Sequence, residues 1–174
     1  DYLRKHDWKK RKTITWLDYD SKFEKGDTYI IPDLKILGKN CGKNDILFVT
    51  INSAPPKEAD AKTFFDKYNV YISPGFKKSR YLLPKFFPEL LQNMLLNVLN
   101  EGCEYNDVKY HKICSFTYKD GAPMYTLCGI FTDDAAFPHK LSTLHKIISL
   151  NKDHIHKINI PCITYKEKYY MDSK

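Results

Sequence analysis

The feature that most constrains the fold is a pair of short apolar segments separated by a helix-length stretch. "TITWLD" (Thr13 to Asp18) is short, continuous and β-branched, which is typical of a strand buried on both faces. "DILFVTINS" (Asp45 to Ser53) has the same character, and Pro55 and Pro56 follow it. Because proline cannot donate to a strand ladder, the second strand is expected to end there. Two such strands with a helix between them predict a parallel pair in an α/β sheet.

Apolar residues at helical spacing predict four helices, at Pro32 to Cys41, Glu58 to Tyr68, Pro88 to Glu101 and Pro138 to about Leu150. The third has the strongest pattern. It opens on proline and glutamate, carries one apolar side, and is followed by Gly102 as a stop signal. In the first, Pro32 is interpreted as the first helical residue and Gly42 as the stop.

Two further strands complete the predicted sheet. They span Tyr110 to Tyr118 and Met124 to Thr132, and "KDGAP" between them contains Asp120-Gly121, a strong hairpin signal. The predicted fold class is therefore α/β, a Rossmann-like layered sheet. Its parallel strands come first, an antiparallel hairpin lies at one edge, and helices cover both faces.

Length and composition favour one folded domain over residues 1–174. The chain has 174 residues, of which 43% are hydrophobic and 28% charged, ordinary values for a globular protein. Its apolar runs are far shorter than the roughly 20 residues that span a bilayer, so no membrane association is predicted. Five scattered cysteines without a CxxC pair favour a reducing compartment, and hence a cytoplasmic location. The first residues lack an initiator methionine and the apolar core of a signal peptide, so we expect the chain to begin inside a longer protein.

Polar side chains follow both parallel strands at the point where each is expected to end. Asp18, Tyr19 and Asp20 lie at the end of the first strand, and Thr50, Asn52 and Ser53 lie at the end of the second. The carboxyl ends of parallel strands form the edge of a sheet where ligands bind, so these groups are the candidate site. The alternative is that the two aspartates only form a turn or cap a helix, since their side chains satisfy free backbone donors.

The segments "DWKKRKTITWLDYD", "DILFVTINS", "SFTYKDGAPMYTLCGIF" and "INIPCITYKEK" resemble the carboxy-terminal half of a group of little-characterised bacterial proteins. That group is similar to class I S-adenosylmethionine-dependent methyltransferases. The resemblance implies that "WLDYD" is the fourth-strand motif beside the transferred methyl group and "ILFVTINS" the fifth strand. It also implies S-adenosylmethionine as cofactor. Asp18, Tyr19 and Asp20 would line the cleft, where a carboxylate or tyrosine oxygen orients or deprotonates the acceptor.

One part of the methyltransferase pattern has no counterpart in the chain. The seven glycines are isolated, and neither the glycine-rich cofactor loop nor the acidic residue that holds the ribose is present. The resemblance therefore implies that these parts lie upstream of Asp1. The chain alone is not expected to bind the cofactor in the family's manner, and the methyl acceptor is left open.

A second resemblance gives a different enzyme. "TITWLDYDS" is also similar to haloacid-dehalogenase-like phosphatases, which implies Asp18 as nucleophile, Asp20 as general acid/base and Mg²⁺ as cofactor. Thr50 would supply that family's second-motif hydroxyl, and Asp133 and Asp134 its metal-binding acidic pair. The short separation between Asp18 and Thr50 weighs against this alternative.

A third hypothesis is a basic surface that binds nucleic acid or another acidic partner. The formal net charge is +7, and Lys77, Lys78 and Arg80 lie next to Tyr81 in a predicted loop. A solvated basic face is the alternative interpretation. No metal site is predicted, because His154 and His156 lack the spacing of a structural zinc site.

Overall fold

The fold is taken from a computed structural model that describes residues 2–8, 10–134, 136–137, 140 and 154–159. The strands are β1 (Ile14–Lys22), β2 (Ile46–Asn52), β3 (Lys109–Asp120), β4 (Ala122–Thr132) and β5 (His156–Lys157). They form one sheet in the order β1-β2-β4-β3-β5. β1 and β2 are parallel, as are β3 and β5, whereas β4 runs antiparallel to both of its neighbours. The predicted α/β sheet, with a parallel pair and an antiparallel hairpin, is confirmed.

The hairpin forms at the predicted turn. Asp120 and Ala122 are partners across it, and Gly121 has a φ of +66°, a left-handed conformation that favours glycine. The hairpin is not quite at the edge of the sheet, however. Strand β5, only two residues long, pairs with the outer side of β3 at Phe116 and Thr117. Sequence patterns gave no sign of this short strand.

The helices are α1 (Tyr2–Lys5), α2 (Phe23–Asn40), α3 (Ala61–Lys67) and α4 (Phe87–Gly102), with short 3-10 turns between them. Helix α4 confirms its prediction to within one residue at each end. The segment predicted as a helix from Glu58 to Tyr68 divides into a 3-10 turn, Glu58–Asp60, followed by α3. Of the helix predicted at Pro138 to about Leu150, only Lys140 is among the described residues.

Helix α2 is much longer than predicted, and Pro32 lies inside it. Proline removes one helical hydrogen bond and leaves the carbonyl four residues earlier, on Thr28, without its partner. Thr28 is exposed, so water can solvate that carbonyl. Phe23, Ile30 and Leu34 on the apolar side of α2 are fully buried. The stabilisation from their burial exceeds the free-energy cost of placing proline inside the helix. Reading Pro32 as the start of the helix was therefore wrong.

The core lies between α2, α4 and one face of the sheet. Alternate residues of β2, namely Leu47, Val49 and Ile51, are fully buried there, together with Tyr125, Leu127 and Phe131 of β4. Because side chains alternate along a strand, the residues between them point to the opposite face. Helices α2 and α4, which enclose this core, lie on the same face of the sheet.

Asp27 in α2, whose side chain is mostly buried, makes an ion pair with the half-exposed Lys67 of α3. The Asp27 carboxylate accepts a hydrogen bond from the Tyr68 hydroxyl at 2.8 Å and pairs with Lys67 at 2.6 Å. Burial by itself would raise the pKa of Asp27, but the hydrogen bonds from Lys67 and Tyr68 lower it overall. A carboxyl with a lowered folded-state pKa stabilises the protein above its unfolded pKa, and that stabilisation is lost as the pH falls.

Replacing Asp27 with asparagine is expected to lower the free energy of unfolding at pH 7 by about 1 kcal/mol, a value reduced because Lys67 is half exposed. The difference from wild type should begin to shrink below about pH 4, the usual pKa of an aspartate in the unfolded chain, and should disappear once the pH falls below the lowered folded-state pKa. Urea unfolding at pH 7 and pH 3 measures both quantities. Asp66→Asn, an exposed carboxylate on α3, is the matched control and should change little. An equal effect of both substitutions would contradict the assignment.

Candidate functional site

Strand β1 continues four residues beyond its predicted end at Asp18. Trp16 is 65% exposed and Ile14 is 72% exposed, so the prediction that this strand is buried on both faces was wrong. Among the described strands β1 is at the end of the sheet, and only its alternate side chains face the helices. Asp18 therefore lies within a strand that has one open face, rather than at its end.

The three candidate catalytic residues do not point in one direction. Asp18 and Asp20 lie on the open face with Trp16, whereas Tyr19 points to the helix side. There its hydroxyl donates a hydrogen bond to Asp33 Oδ2 at 2.9 Å. Burial and the neighbouring Asp33 carboxylate raise the pKa of Tyr19 well above its usual value. Tyr19 consequently stays protonated near neutral pH and fixes α2 to β1.

Thr50 lies directly opposite Asp18 across the parallel ladder, but its hydroxyl is engaged within the sheet. Trp16 Nε1 donates to Thr50 Oγ1 at 3.0 Å, and the hydroxyls of Thr50 and Thr126 are 2.9 Å apart. The Trp16 ring also lies 5.8 Å from that of Phe48. These contacts hold the indole against β2, on the same face of the sheet as Asp18.

The carboxyl ends of β1 and β2 place Asp20, Lys22 and Asn52 at one edge of the sheet. A register shift between Tyr19 and Lys22 places Lys22 opposite Asn52. The Asn52 amide makes a long hydrogen bond, 3.5 Å, to the backbone oxygen of Asp20, and Lys22 Nζ donates to the Pro55 carbonyl at 3.1 Å. Asp20, Lys22 and Asn52 therefore share one edge of the sheet. Sequence reasoning missed Lys22 because it ended the strand too early.

Ser53 has a different environment from Asn52. It is only 4% exposed, and its backbone N–H donates to the carbonyl of Pro123 at 2.8 Å. This bond connects the end of β2 to the start of β4. Ser53 thus continues the pairing of β2 with β4, while the Asn52 side chain contacts β1.

A cavity of about 420 Å³ opens beside the segment that follows β2. It is lined by Pro56, Glu58, Ala61, Arg80, Leu82 and Leu83, among others. Pro56 directly follows Pro55, whose carbonyl accepts a hydrogen bond from Lys22, so the chain between β2 and the cavity contacts the end of β1. Its volume is within the range of small-molecule sites.

The residues of the predicted basic surface lie in the turns beside this cavity. Lys77, Lys78 and Arg80 are all exposed. Lys77 Nζ donates to Asn69 Oδ1 at 2.6 Å. Arg80 donates to the Tyr81 hydroxyl at 2.9 Å and stacks on its ring at 4.8 Å. Two of the three cations therefore have local partners, and binding of an acidic partner stays a prediction.

The phosphatase arrangement is not assembled. Asp133 and Asp134 follow the end of β4, which runs antiparallel to β2, so they lie at the opposite edge of the sheet from Asp20. There Asp133 pairs with Lys43 at 2.7 Å and Asp134 with Lys140 at 2.8 Å. Within the described ranges, no group of three or more His, Cys, Asp or Glu side chains is placed to hold a metal. The proposed Mg²⁺ ligands thus do not converge.

The sheet order and strand directions define a Rossmann-like α/β protein whose candidate edge is formed by β1 and β2. Residues 1–174 match the family described as "Putative O-methyltransferase", and the chain belongs to this methyltransferase-like family. No curated protein and no solved structure matches the chain. Of the described helices, none is both long and apolar enough to cross a lipid bilayer.

Proposed function

We propose that this chain forms the catalytic edge of an S-adenosylmethionine-dependent O-methyltransferase. The family match over residues 1–174 is the observation that carries the proposal. The parallel pair β1 and β2 supports it, because ligands of open α/β sheets bind outside the carboxyl ends of parallel strands. At that edge lie Asp20, Lys22 and Asn52.

The chemistry of this edge fits the reacting end of the methyl donor. When bound, S-adenosylmethionine supplies an electrophilic methyl group on a positively charged sulfur. Asp18 and Asp20 place two exposed carboxylates on one face of β1, a favourable environment for a cation. The chain has no glycine-rich turn for the adenosine end. We therefore propose that residues upstream of Asp1 complete a single domain and hold that end.

In the proposed mechanism the chain mainly positions the acceptor. The Asp20 carboxylate accepts the proton of the acceptor hydroxyl or orients it, and the Asn52 amide holds the neighbouring backbone in place. The cavity beside Pro56 receives the rest of the acceptor. Tyr19 is not assigned a proton-transfer role, because its hydroxyl is bonded to Asp33 on the other side of the sheet.

The test compares this chain with one extended upstream. Isothermal titration with S-adenosylmethionine should detect binding to the extended chain and at most weak binding to residues 1–174. With tritiated methyl donor and a set of hydroxylated small molecules, Asp20→Asn in the extended chain should slow transfer by about tenfold or more. Asp107→Asn, an exposed carboxylate in the turn before β3, is the matched control. Absence of binding by both chains would contradict the proposal.

The proposal also covers the partner of the protein and its location. The net charge of +7 and the exposed Lys77, Lys78 and Arg80 support an acidic partner such as a polynucleotide, which would reach the cavity that Arg80 lines. The four described cysteines are all buried free thiols, which supports a reducing, cytoplasmic location.

A further inference from the structure

Two of the buried thiols face each other across the hairpin. Cys114 of β3 and Cys128 of β4 are direct partners in the antiparallel ladder, and they are 8% and 5% exposed. Opposed residues of an antiparallel pair have Cα atoms about 4.5–5.5 Å apart. A disulfide spans Cα separations of about 4.4–6.8 Å, so the backbone already has the spacing that such a bond needs.

We propose that Cys114 and Cys128 are an oxidisable dithiol, which hydrogen peroxide converts into a disulfide between β3 and β4 and which a small thiol reductant restores. The site is separate from the edge formed by Asp20 and Asn52. It does not depend on the proposed methyl transfer.

The two thiols differ in the direction of their pKa shifts. The Cys128 thiol donates a hydrogen bond to Cys114 and, with a smaller effect from Lys112, lowers the pKa of Cys114 despite burial. That hydrogen bond and burial raise the pKa of Cys128. Because the thiolate is the nucleophile and Lys112 lies just before Cys114 in β3, the proposal makes Cys114 the first sulfur to react, an order that the two single substitutions test.

The reaction balances in two steps. The Cys114 thiolate attacks one peroxide oxygen, the O–O bond breaks, and the products are a sulfenic acid and, after proton uptake, water. The Cys128 sulfur then attacks the sulfenic sulfur, the S–O bond breaks, and a second water leaves as the disulfide forms. In total, two thiols and one peroxide give one disulfide and two waters.

The hairpin also has a local irregularity beside Cys114. The register shifts between Lys112 and Cys114, which leaves Ile113 outside the regular pairing. A bulge disrupts the ladder at one residue and increases the local twist. Next to the bulge, Lys112 Nζ donates to the His154 carbonyl at 2.7 Å.

The other described cysteines provide a comparison for the reactivity of the hairpin pair. Cys41 and Cys103, the other two described cysteines, are also buried, but they lie at the ends of α2 and α4 rather than opposite each other in a ladder. Burial raises the pKa of both. They should therefore react with peroxide much more slowly than Cys114 and Cys128.

The experiment exposes the folded chain to increasing hydrogen peroxide, blocks free thiols, and maps the products by mass spectrometry after trypsin digestion. Cleavage at Lys119 separates Cys114 from Cys128, so the disulfide links two peptides. We expect this link at a peroxide concentration at least tenfold below that which modifies Cys41 or Cys103. Dithiothreitol should remove it.

Single substitutions test the order of attack. In Cys128→Ser, a sulfenic acid at Cys114 should accumulate and be trapped by dimedone, whereas Cys114→Ser should leave Cys128 largely unreacted. Circular dichroism melts establish whether each variant is folded. If a variant does not fold, the disulfide mapping of the wild-type chain decides the proposal. Preferential oxidation of Cys41 or Cys103, or a link from either hairpin cysteine to Cys162, would overturn it.

Discussion

Replacing Gly38 with valine is expected to unfold the protein or to lower its free energy of unfolding by about 3 kcal/mol or more. Gly38 is where α2 crosses α4. A Cβ atom there would lie 2.7 Å from the Leu99 carbonyl oxygen and 2.9 Å from the Gly102 Cα. These are backbone atoms, so the contact can be relieved only if the two helices move apart. Gly102 is equally confined, since its Cβ would lie 2.7 Å from the Lys35 carbonyl.

Gly38→Ala provides a finer measurement of the same contact. Alanine in place of a helical glycine normally stabilises by about 1 kcal/mol, so a net loss of stability would be evidence for the close crossing. Gly75→Ala is the matched control, because no heavy atom lies within 4 Å of a Cβ at that position. Thermal and urea unfolding of the three variants decides the question. A stabilising Gly38→Ala would show that the helices are farther apart.

Replacing Asp45 with alanine is expected to cost about 3 kcal/mol of stability, since two backbone donors lose a charged acceptor. The Asp45 side chain is buried, and the residue is only 2% exposed. Its Oδ1 accepts from the Thr13 N–H at 2.8 Å, and its Oδ2 accepts from the Gly42 N–H at 2.7 Å. The carboxylate thereby joins the residue before β1 to the turn before β2. Urea unfolding at pH 7 measures the loss.

The loss of Asp45 should also loosen the pairing of β1 with β2, which begins where Ile46 donates to the Thr13 carbonyl at 2.9 Å. Hydrogen exchange of the β1 amides should therefore become faster. Asp60→Asn is the control, because Asp60 is exposed and its side chain makes no hydrogen bond to the start of α3. Unchanged exchange in β1 after Asp45→Ala would contradict this role.

Local sequence patterns were sufficient to predict a helix, strand or turn wherever its own residues determine its conformation. The apolar side of α4 and its flanking Pro88 and Gly102 gave that helix to within one residue. The Asp120-Gly121 turn gave the hairpin, since glycine accepts the positive φ that the turn requires. Strand β2 was found because it is apolar, short and followed by prolines.

The candidate site was predicted only in part. The sequence placed Asp20 and Asn52 at the ends of adjacent parallel strands, and the two residues do lie together at that edge. It gave no indication that Tyr19 would bond to Asp33 on the helix side, or that Lys22 would reach Pro55. Both contacts join residues whose proximity depends on how α2 and the segment after β2 pack.

The sequence by itself determined the succession from β1 to β4, the apolar side of α4 and the hairpin, because each depends on residues close together in the chain. Only the tertiary structure decided that Pro32 lies inside α2 and that one face of β1 is open. It also decided that Cys114 faces Cys128. The physical reason is that burial and strand register are set by partners distant in the chain, and these outweigh local preferences when the core forms.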